Sequence, residues 1–203
     1  MKLVCGVGIN DSDYVVNVIS NGKHYYCPIY LKWKSMISRC YNLKYKLTKP
    51  SYDGCTVTDE WLTFSNFSKW MLSQNWKGKH LDKDILFKGN KVYSSFNCCF
   101  VSQSINNLLC CPSPRGKKKL LTGVFKDVKS NFRSMVSING NNKSLGSFNT
   151  EIQAHIAWRK AKSQLIIEAA FTQTQDNVRE ALLERARVLL EDYNPETTAE
   201  VLA

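Results

Sequence analysis

Apolar residues recur at helical spacing behind Pro28. Trp33, Met36, Ile37, Cys40 and Tyr41 fall on one side of a 3.6-residue repeat, which predicts a core-facing helix near 28–42. Proline in the first turn of such a helix loses no bond, because the leading N–H groups have no intrahelical acceptor. The run Cys55 to Thr58 reads as a short strand leading through Glu60-Trp61. Phe64, Phe67 and Met71, with Trp70 beside them, then predict a second helix around 63–75. From His80 the pattern is extended: a run to Leu86, a Gly89-Asn90 turn, a second run from Cys98 to Val101, and a short helix from a Ser102 cap through Leu109. A strand-loop-strand-helix unit of this size needs the preceding helices as its support.

A second patterned region follows. The β-prone run 132–138 stops at Asn139-Gly140, a hairpin signal, and Thr150-Glu151-Ile152-Gln153 is a capping box. It opens a helix with Ala154, Ala157, Trp158, Ala161 and Leu165 on one stripe. Period-two alternation sends Phe132, Ser134, Val136 and Ile138 toward that helix and leaves Arg133, Met135, Ser137 and Asn139 on an open sheet face. Beyond it, Asn177 and Glu180 stand at capping-box spacing ahead of Leu182, Leu183, Ala186, Leu189, Leu190 and Tyr193. This amphipathic C-terminal helix needs a surface to bury its apolar face. That surface is either the preceding module or another chain, by self-association or with a protein partner.

These patterns divide the 203 residues into a first domain at 1–109, a linker at 110–121, a second domain at 122–171 and a C-terminal helix within 172–203. The fold class expected is α+β. No internal repeat is visible, which excludes solenoids and propellers.

Charge changes the picture most. Lys and Arg number 28 against 17 Asp and Glu, a formal +11. Residues 172–203 carry net −4, so the chain ahead of them carries +15. A cationic body with a dilute acidic tail points to a polyanionic partner. No apolar run approaches the length that spans a bilayer, and the start lacks an export signal, so the expectation is a cytoplasmic protein without a membrane partner. The eight cysteines then read as reduced thiols in the core. Cys98-Cys99 and Cys110-Cys111 are adjacent pairs, without the two-residue gap of zinc knuckles. His24 and His155 have no companion ligands and read as ordinary polar positions.

One further pattern carries a family resemblance. The series Cys27-Pro28, Trp33, Met36, Arg39-Cys40-Tyr41, Tyr52, Val57, Glu60-Trp61, Phe64, Phe67, Trp70, Leu81-Asp82-Lys83-Asp84-Ile85-Leu86, Gly89-Asn90-Lys91, Tyr93-Ser94, Cys98, Phe100-Val101 and Asn106 resembles phage-encoded HNH endonuclease-like proteins, many of homing type, over residues 8–110. The resemblance implies a ββα-metal hairpin on helical support and metal-assisted phosphodiester hydrolysis with Mg²⁺ or Mn²⁺. By that pattern Asp82 falls on the metal-binding acid, Asn97 on the loop Asn that orients the base, Asn106 on the helix ligand and Lys83 on the catalytic His. Lys83 is the departure, because a lysine ordinarily titrates near 10.4 and its acidic neighbours favour the cation. Alternation places His80, Asp82 and Asp84 on the face opposite Lys83, so His80 offers a displaced base. The plain alternative for Asp82 or Asp84 is a solvated strand acid paired with Lys83 or Lys79.

Residues 122–167 resemble the AP2-type DNA-binding domain, three antiparallel strands backed by one helix. The matching residues are Gly123-Val124, Phe132 to Ile138, Asn139-Gly140, Leu145 to Thr150, Ala154, Ala157-Trp158 and Ala161. The resemblance implies a sheet that docks on double-stranded DNA through Arg133, Met135, Ser137, Lys143 and Ser144, with Lys126 and Lys129 nearby. Arg115, Lys117, Lys118 and Lys119 of the linker are phosphate contacts in this reading, or else a solvated basic segment. The leading expectation is therefore a DNA-binding, HNH endonuclease-like phage protein in the host cytoplasm. The alternative is a catalytically inactive DNA-binding or interaction protein on the same scaffold, with no cofactor, serving regulation, genome protection or interference with a host complex. RNA binding ranks lower, because the open strand face lacks a pair of aromatics for stacking.

Overall fold

The chain opens with a two-stranded antiparallel ribbon, β1 (Asn17–Ser20) and β2 (Lys23–Tyr26). Asn21 and Gly22 turn it, both at positive φ, the backbone that a two-residue hairpin of this hand requires. The adjacent Asn21-Gly22 is the ribbon's signature in the sequence, and the flanking strands add no period-two apolar pattern to it. The computed structural model describes residues 3–110, 120–127 and 131–191. Its contacts divide the chain into two units, Met1–Ser102 and Gln103–Ala203, and both mix helix with strand. Among the described residues no helix is long and apolar enough to cross a membrane.

The first unit is built on α1 (Pro28–Tyr41), which starts at the proline and buries Tyr30, Trp33, Met36, Ile37 and Cys40. After it come α2 (Leu43–Thr48), capped by the Asn42 side chain, β3 (Thr56–Val57) and α3 (Asp59–Leu62). Next is α4 (Phe64–Leu72), which faces α1 with Phe64, Phe67 and Met71. Trp33 Nε1 donates to the Trp61 carbonyl at 2.8 Å, so the indole ties α1 to α3 while filling the core. Strand β4 (His80–Asp82) pairs antiparallel with β6 (Cys99–Val101), and β5 (Val92–Tyr93), inside the intervening loop, pairs parallel with β3. That parallel pairing fixes the loop to the helical half of the unit. The buried Cys40, Cys55, Cys98 and Cys99 are core thiols outside any disulfide, and burial pushes the Cys40 thiol up to about 12. They behave as small hydrophobes.

The second unit begins with α5 (Gln103–Leu109), which groups with the later chain. A three-stranded antiparallel sheet follows in the order β7 (Val124–Lys126), β8 (Phe132–Ile138), β9 (Asn141–Phe148). Its backing helix α6 (Glu151–Phe171) starts at Thr150, whose side chain accepts from Gln153 N. Ala154 and Trp158 are buried near its start, and Gly123 lies so close to the Trp158 ring that a Cβ there would sit 2.1 Å from the indole.

Farther along, α6 meets α7 (Asp176–Glu191), where Val178, Leu182 and Ala186 are buried. Ser163 Oγ donates to the Ala186 carbonyl at 3.0 Å, and Arg159 donates to the carbonyls of Val188 and Leu189. The two α6 faces serve different neighbours, so its burial spreads around the helix and exceeds the single stripe that sequence periodicity predicts.

Candidate functional site

The β4–loop–β6 segment gathers most of the chemistry of the first unit. Leu81, Lys83 and Ile85 point inward and His80, Asp82 and Asp84 are half-exposed, as strand alternation predicts. Lys83 is only 5% exposed. Its Nζ donates to both Asp84 carboxylate oxygens at 2.8 Å and to the Asn90 carbonyl at 2.6 Å. Those contacts use the three donors of an ammonium group and leave no lone pair for base chemistry.

Asn90 returns the contact. Its Nδ2 donates to the carbonyls of Lys83 and Val92, and its Oδ1 accepts from Val92 N. Asn97 Nδ2 reaches Asn90 Oδ1 at 3.3 Å and the Val92 carbonyl at 3.4 Å. Lys83, Asn90 and Asn97 are therefore brought together as the tie that shapes the loop.

Asp82 ends β4. Its Oδ1 accepts from the backbone N–H groups of Asp84 and Ile85, each at 2.7 Å, an Asx turn. Oδ2 has no hydrogen-bond partner among the described residues. Burial raises the carboxyl above its ordinary value despite those two bonds, which favour the anion. Asn106 is half-buried on α5 and belongs to the second unit, whereas Asp82 belongs to the first. Among the described residues no group of three or more His, Cys, Asp or Glu side chains is placed to hold a metal ion.

His80 faces α1. Lys32 and Arg39, two helical turns apart on that helix, share one side of it, and Lys32 Nζ donates to the Lys79 carbonyl at 2.8 Å. Burial, then the charges of Lys32 and Arg39, hold the imidazole below its ordinary 6.5, so it is neutral near pH 7. Burial, followed by Arg39, also lowers the Lys32 ammonium. Burial opposes the Arg39 cation too, and the guanidinium stands 5.5 Å over the Tyr52 ring. The sequence assigns no site role to Lys32, and Arg39 enters it only within the resemblance series. Their spacing on α1 was visible, but the strand they face was not.

The sheet of the second unit has a helix face and an open face. Residues directly opposite in an antiparallel pair share a face. The register sets Phe125 beside Arg133 and Ser147, Met135 beside Ser144, and Ser137 beside Asn142. This row is the open face, and Phe125, Asn142 and Ser147 join the residues that sequence alternation placed there. Between the pairs Ser134–Gly146 and Met135–Ser144 the register skips Leu145, a bulge in β9. Lys143 consequently stands opposite the buried Val136, and Lys126 opposite Phe132, whose ring lies 5.4 Å from Lys126 Nζ. Both lysines are exposed at the margins of the helix face, outside the central open row. Arg133 is ion-paired with Asp127 at 3.0 Å. Arg115, Lys117, Lys118, Lys119 and Lys129 lie outside the described residues. His24 bonds to Asn17 and His155 to the Thr122 carbonyl, and neither joins a ligand cluster among the described residues.

No protein-family model, curated protein or solved structure matches the chain.

Proposed function

We propose that the protein binds double-stranded DNA and that the β7–β9 sheet is the docking surface, on an HNH endonuclease-like scaffold followed by an AP2-like module. The observation that carries this reading is the open sheet face. Arg133, Ser137, Asn142, Ser144 and Ser147 present donors and acceptors in adjacent rows beside Phe125 and Met135, and Phe132, Val136 and Ile138 of β8 are turned to α6. A sheet face that carries four small polar side chains and one Arg beside Phe125 and Met135 can meet base edges through polar and apolar contacts, and the surplus cations of the chain supply the salt-dependent attraction to phosphate. Asp127 holds Arg133 in a surface pair worth little in water, so the guanidinium is available to exchange partners.

The test is fluorescence anisotropy of labelled duplexes with the full chain across a salt series. Binding should weaken steeply with salt. Arg133→Ala should lower affinity by about 1–3 kcal/mol if Arg133 reads a base, or flatten the salt slope by about 1 if it contacts phosphate. No affinity for any duplex at low salt refutes the reading.

A second reading, metal-assisted phosphodiester hydrolysis, is favoured by a specific observation: His80 and the half-buried Asp82 carboxylate lie two residues apart on one strand, next to the Lys79 carbonyl that holds Lys32. Asp82 Oδ2 is an oxygen donor without a protein partner among the described residues and suits Mg²⁺ or Mn²⁺, which are held by few carboxylates and keep several waters. When bound, such an ion would neutralise charge on the scissile phosphate and on the leaving oxygen. His80 would take the proton of the attacking water as the new P–O bond forms and the bond to the leaving oxygen breaks, while Lys32 and Arg39 offset phosphate charge. Lys83 holds the loop. Nicking that requires Mg²⁺ or Mn²⁺ and is lost in His80→Ala and Asp82→Asn, with duplex binding retained, is expected. Nicking indifferent to both substitutions removes this site, and the absence of product with every divalent ion leaves the inactive DNA-binding scaffold.

A further inference from the structure

The β1–β2 ribbon of the first unit is two-stranded, and the edge of β1 away from β2 pairs with no strand among the described residues. Val18 and Ile19 are 51% and 63% exposed, and Val15 and Tyr25 are exposed as well. Which backbone groups face outward follows from one bond. Cys27 N donates to the Val16 carbonyl at 2.9 Å, so Val16 and Cys27 are a hydrogen-bonded pair. In an antiparallel ladder such pairs alternate. Val18–Tyr25 and Ser20–Lys23 are then bonded pairs too, whereas Asn17–Tyr26 and Ile19–His24 are not. The N–H and C=O groups of Asn17 and Ile19 therefore point away from β2. Among the described residues no strand pairs with that edge.

Exposed strand edges in proteins are ordinarily defended by lysine, proline or a covering element. The outer strands of the second unit's sheet each carry a lysine, Lys126 and Lys143, and β2 carries Lys23. β1 carries no charge, and neither does any residue from Tyr14 to Gly22, in a chain of net +11. An edge without cations is ill suited to nucleic acid, but it is a place where two strongly cationic copies can meet without repulsion. It is also self-complementary. With β1 strands antiparallel about a twofold axis at Val18, Asn17 of one copy faces Ile19 of the other. All the outward backbone donors and acceptors of these residues are then satisfied in two hydrogen-bonded pairs.

We infer that the outer edge of β1 is a self-association edge, through which two copies of this chain join their ribbons into one four-stranded antiparallel sheet. The contact is small by the standard of permanent interfaces, so the dimer is reversible and concentration-dependent. This inference stands apart from the DNA reading and does not need it.

The test is sedimentation equilibrium of the full chain without nucleic acid, where a monomer–dimer equilibrium is expected. Val18→Lys puts like charges opposite each other at the dyad and should weaken dimerisation roughly tenfold or more. Ile19→Pro removes an outward N–H while keeping every bond within the ribbon, and should also favour monomer. Val18→Cys sets two sulfurs across a non-hydrogen-bonded pair, where Cα atoms approach to about 4.5 Å, within disulfide range. Oxidation of that variant should join the two substituted positions in one cross-linked peptide, read by mass spectrometry. A wild type that is monomeric at every concentration overturns the inference, as does a dimer indifferent to Val18→Lys and Ile19→Pro. A monomer whose duplex affinity falls with Val18→Lys overturns it too and assigns the ribbon to nucleic acid.

Discussion

Replacing Gly123 by alanine is the sharpest perturbation of the surface proposed to meet DNA. The residue has φ +80, and a Cβ would lie 2.1 Å from Trp158 Cδ1 and Cγ and 2.7 Å from Cδ2. Carbon atoms in packed interiors stand about 3.5–4.0 Å apart, so the ring or the backbone must give way by more than an ångström. Neither is free to do so. Trp158 is buried and stacked on His155 with ring centroids 5.6 Å apart, and the Gly123 carbonyl, just ahead of β7, accepts from Met135 N of β8 at 2.9 Å. The left-handed backbone costs an alanine about 1–2 kcal/mol, and overpacking adds about 1–3 kcal/mol. A loss near 3 kcal/mol is therefore expected, roughly a hundredfold in the opening equilibrium.

Hydrogen exchange of the full chain, read on amides of β8 and β9, measures it locally. Gly140→Ala is the control, because Gly140 has φ +83 with nothing within 4 Å of its Cβ position, so it carries the backbone cost alone. Trp158→Ala combined with Gly123→Ala should cost less than the sum of the single changes. If Gly123→Ala is no worse than Gly140→Ala, the proposed packing of Trp158 on this glycine is wrong.

Other consequences concern the first unit. Lys83→Met should destabilise it by about 1–3 kcal/mol in thermal unfolding, because the Asn90 carbonyl loses its donor while the half-exposed Asp84 can rehydrate. Lys83→His should destabilise similarly and give no gain in nicking, since a shorter ring cannot reach both partners; a stable Lys83→His variant that cuts faster would contradict the loop-tie role. His80 should titrate below 6.5 by NMR. As pH falls from 6.5 the unfolded chain takes up this proton before the folded one, so stability is fully present above 6.5 and is lost on acidification from there through the folded value, a slope that His80→Asn should flatten. Asp82 works in the opposite sense: its raised carboxyl favours the folded state at low pH and loses that advantage as pH rises from 3.8 through the folded value, which Asp82→Asn should remove.

Local order in this chain is written in local sequence. Pro28 starts α1, Thr150 and Gln153 cap α6, Asn139-Gly140 turns β8 into β9, and period-two alternation sorts Arg133 from Ser134, because each depends only on residues within a few positions. The alternation of Lys83 against His80 and Asp82 was legible for the same reason. The use made of Lys83 was not. Its role depends on Asn90, seven residues on, which a parallel pairing of β5 with β3 brings back beneath it. The surroundings of His80 depend on Lys32 and Arg39 from a helix more than forty residues earlier. A one-residue bulge at Leu145 moved Lys143 opposite a core valine, and the second apolar face of α6 became necessary only once α7 folded onto it. Spacing along a chain reports which side of an element a residue occupies, because backbone geometry is local; which element waits on that side is decided by chain reversal and burial, which are not.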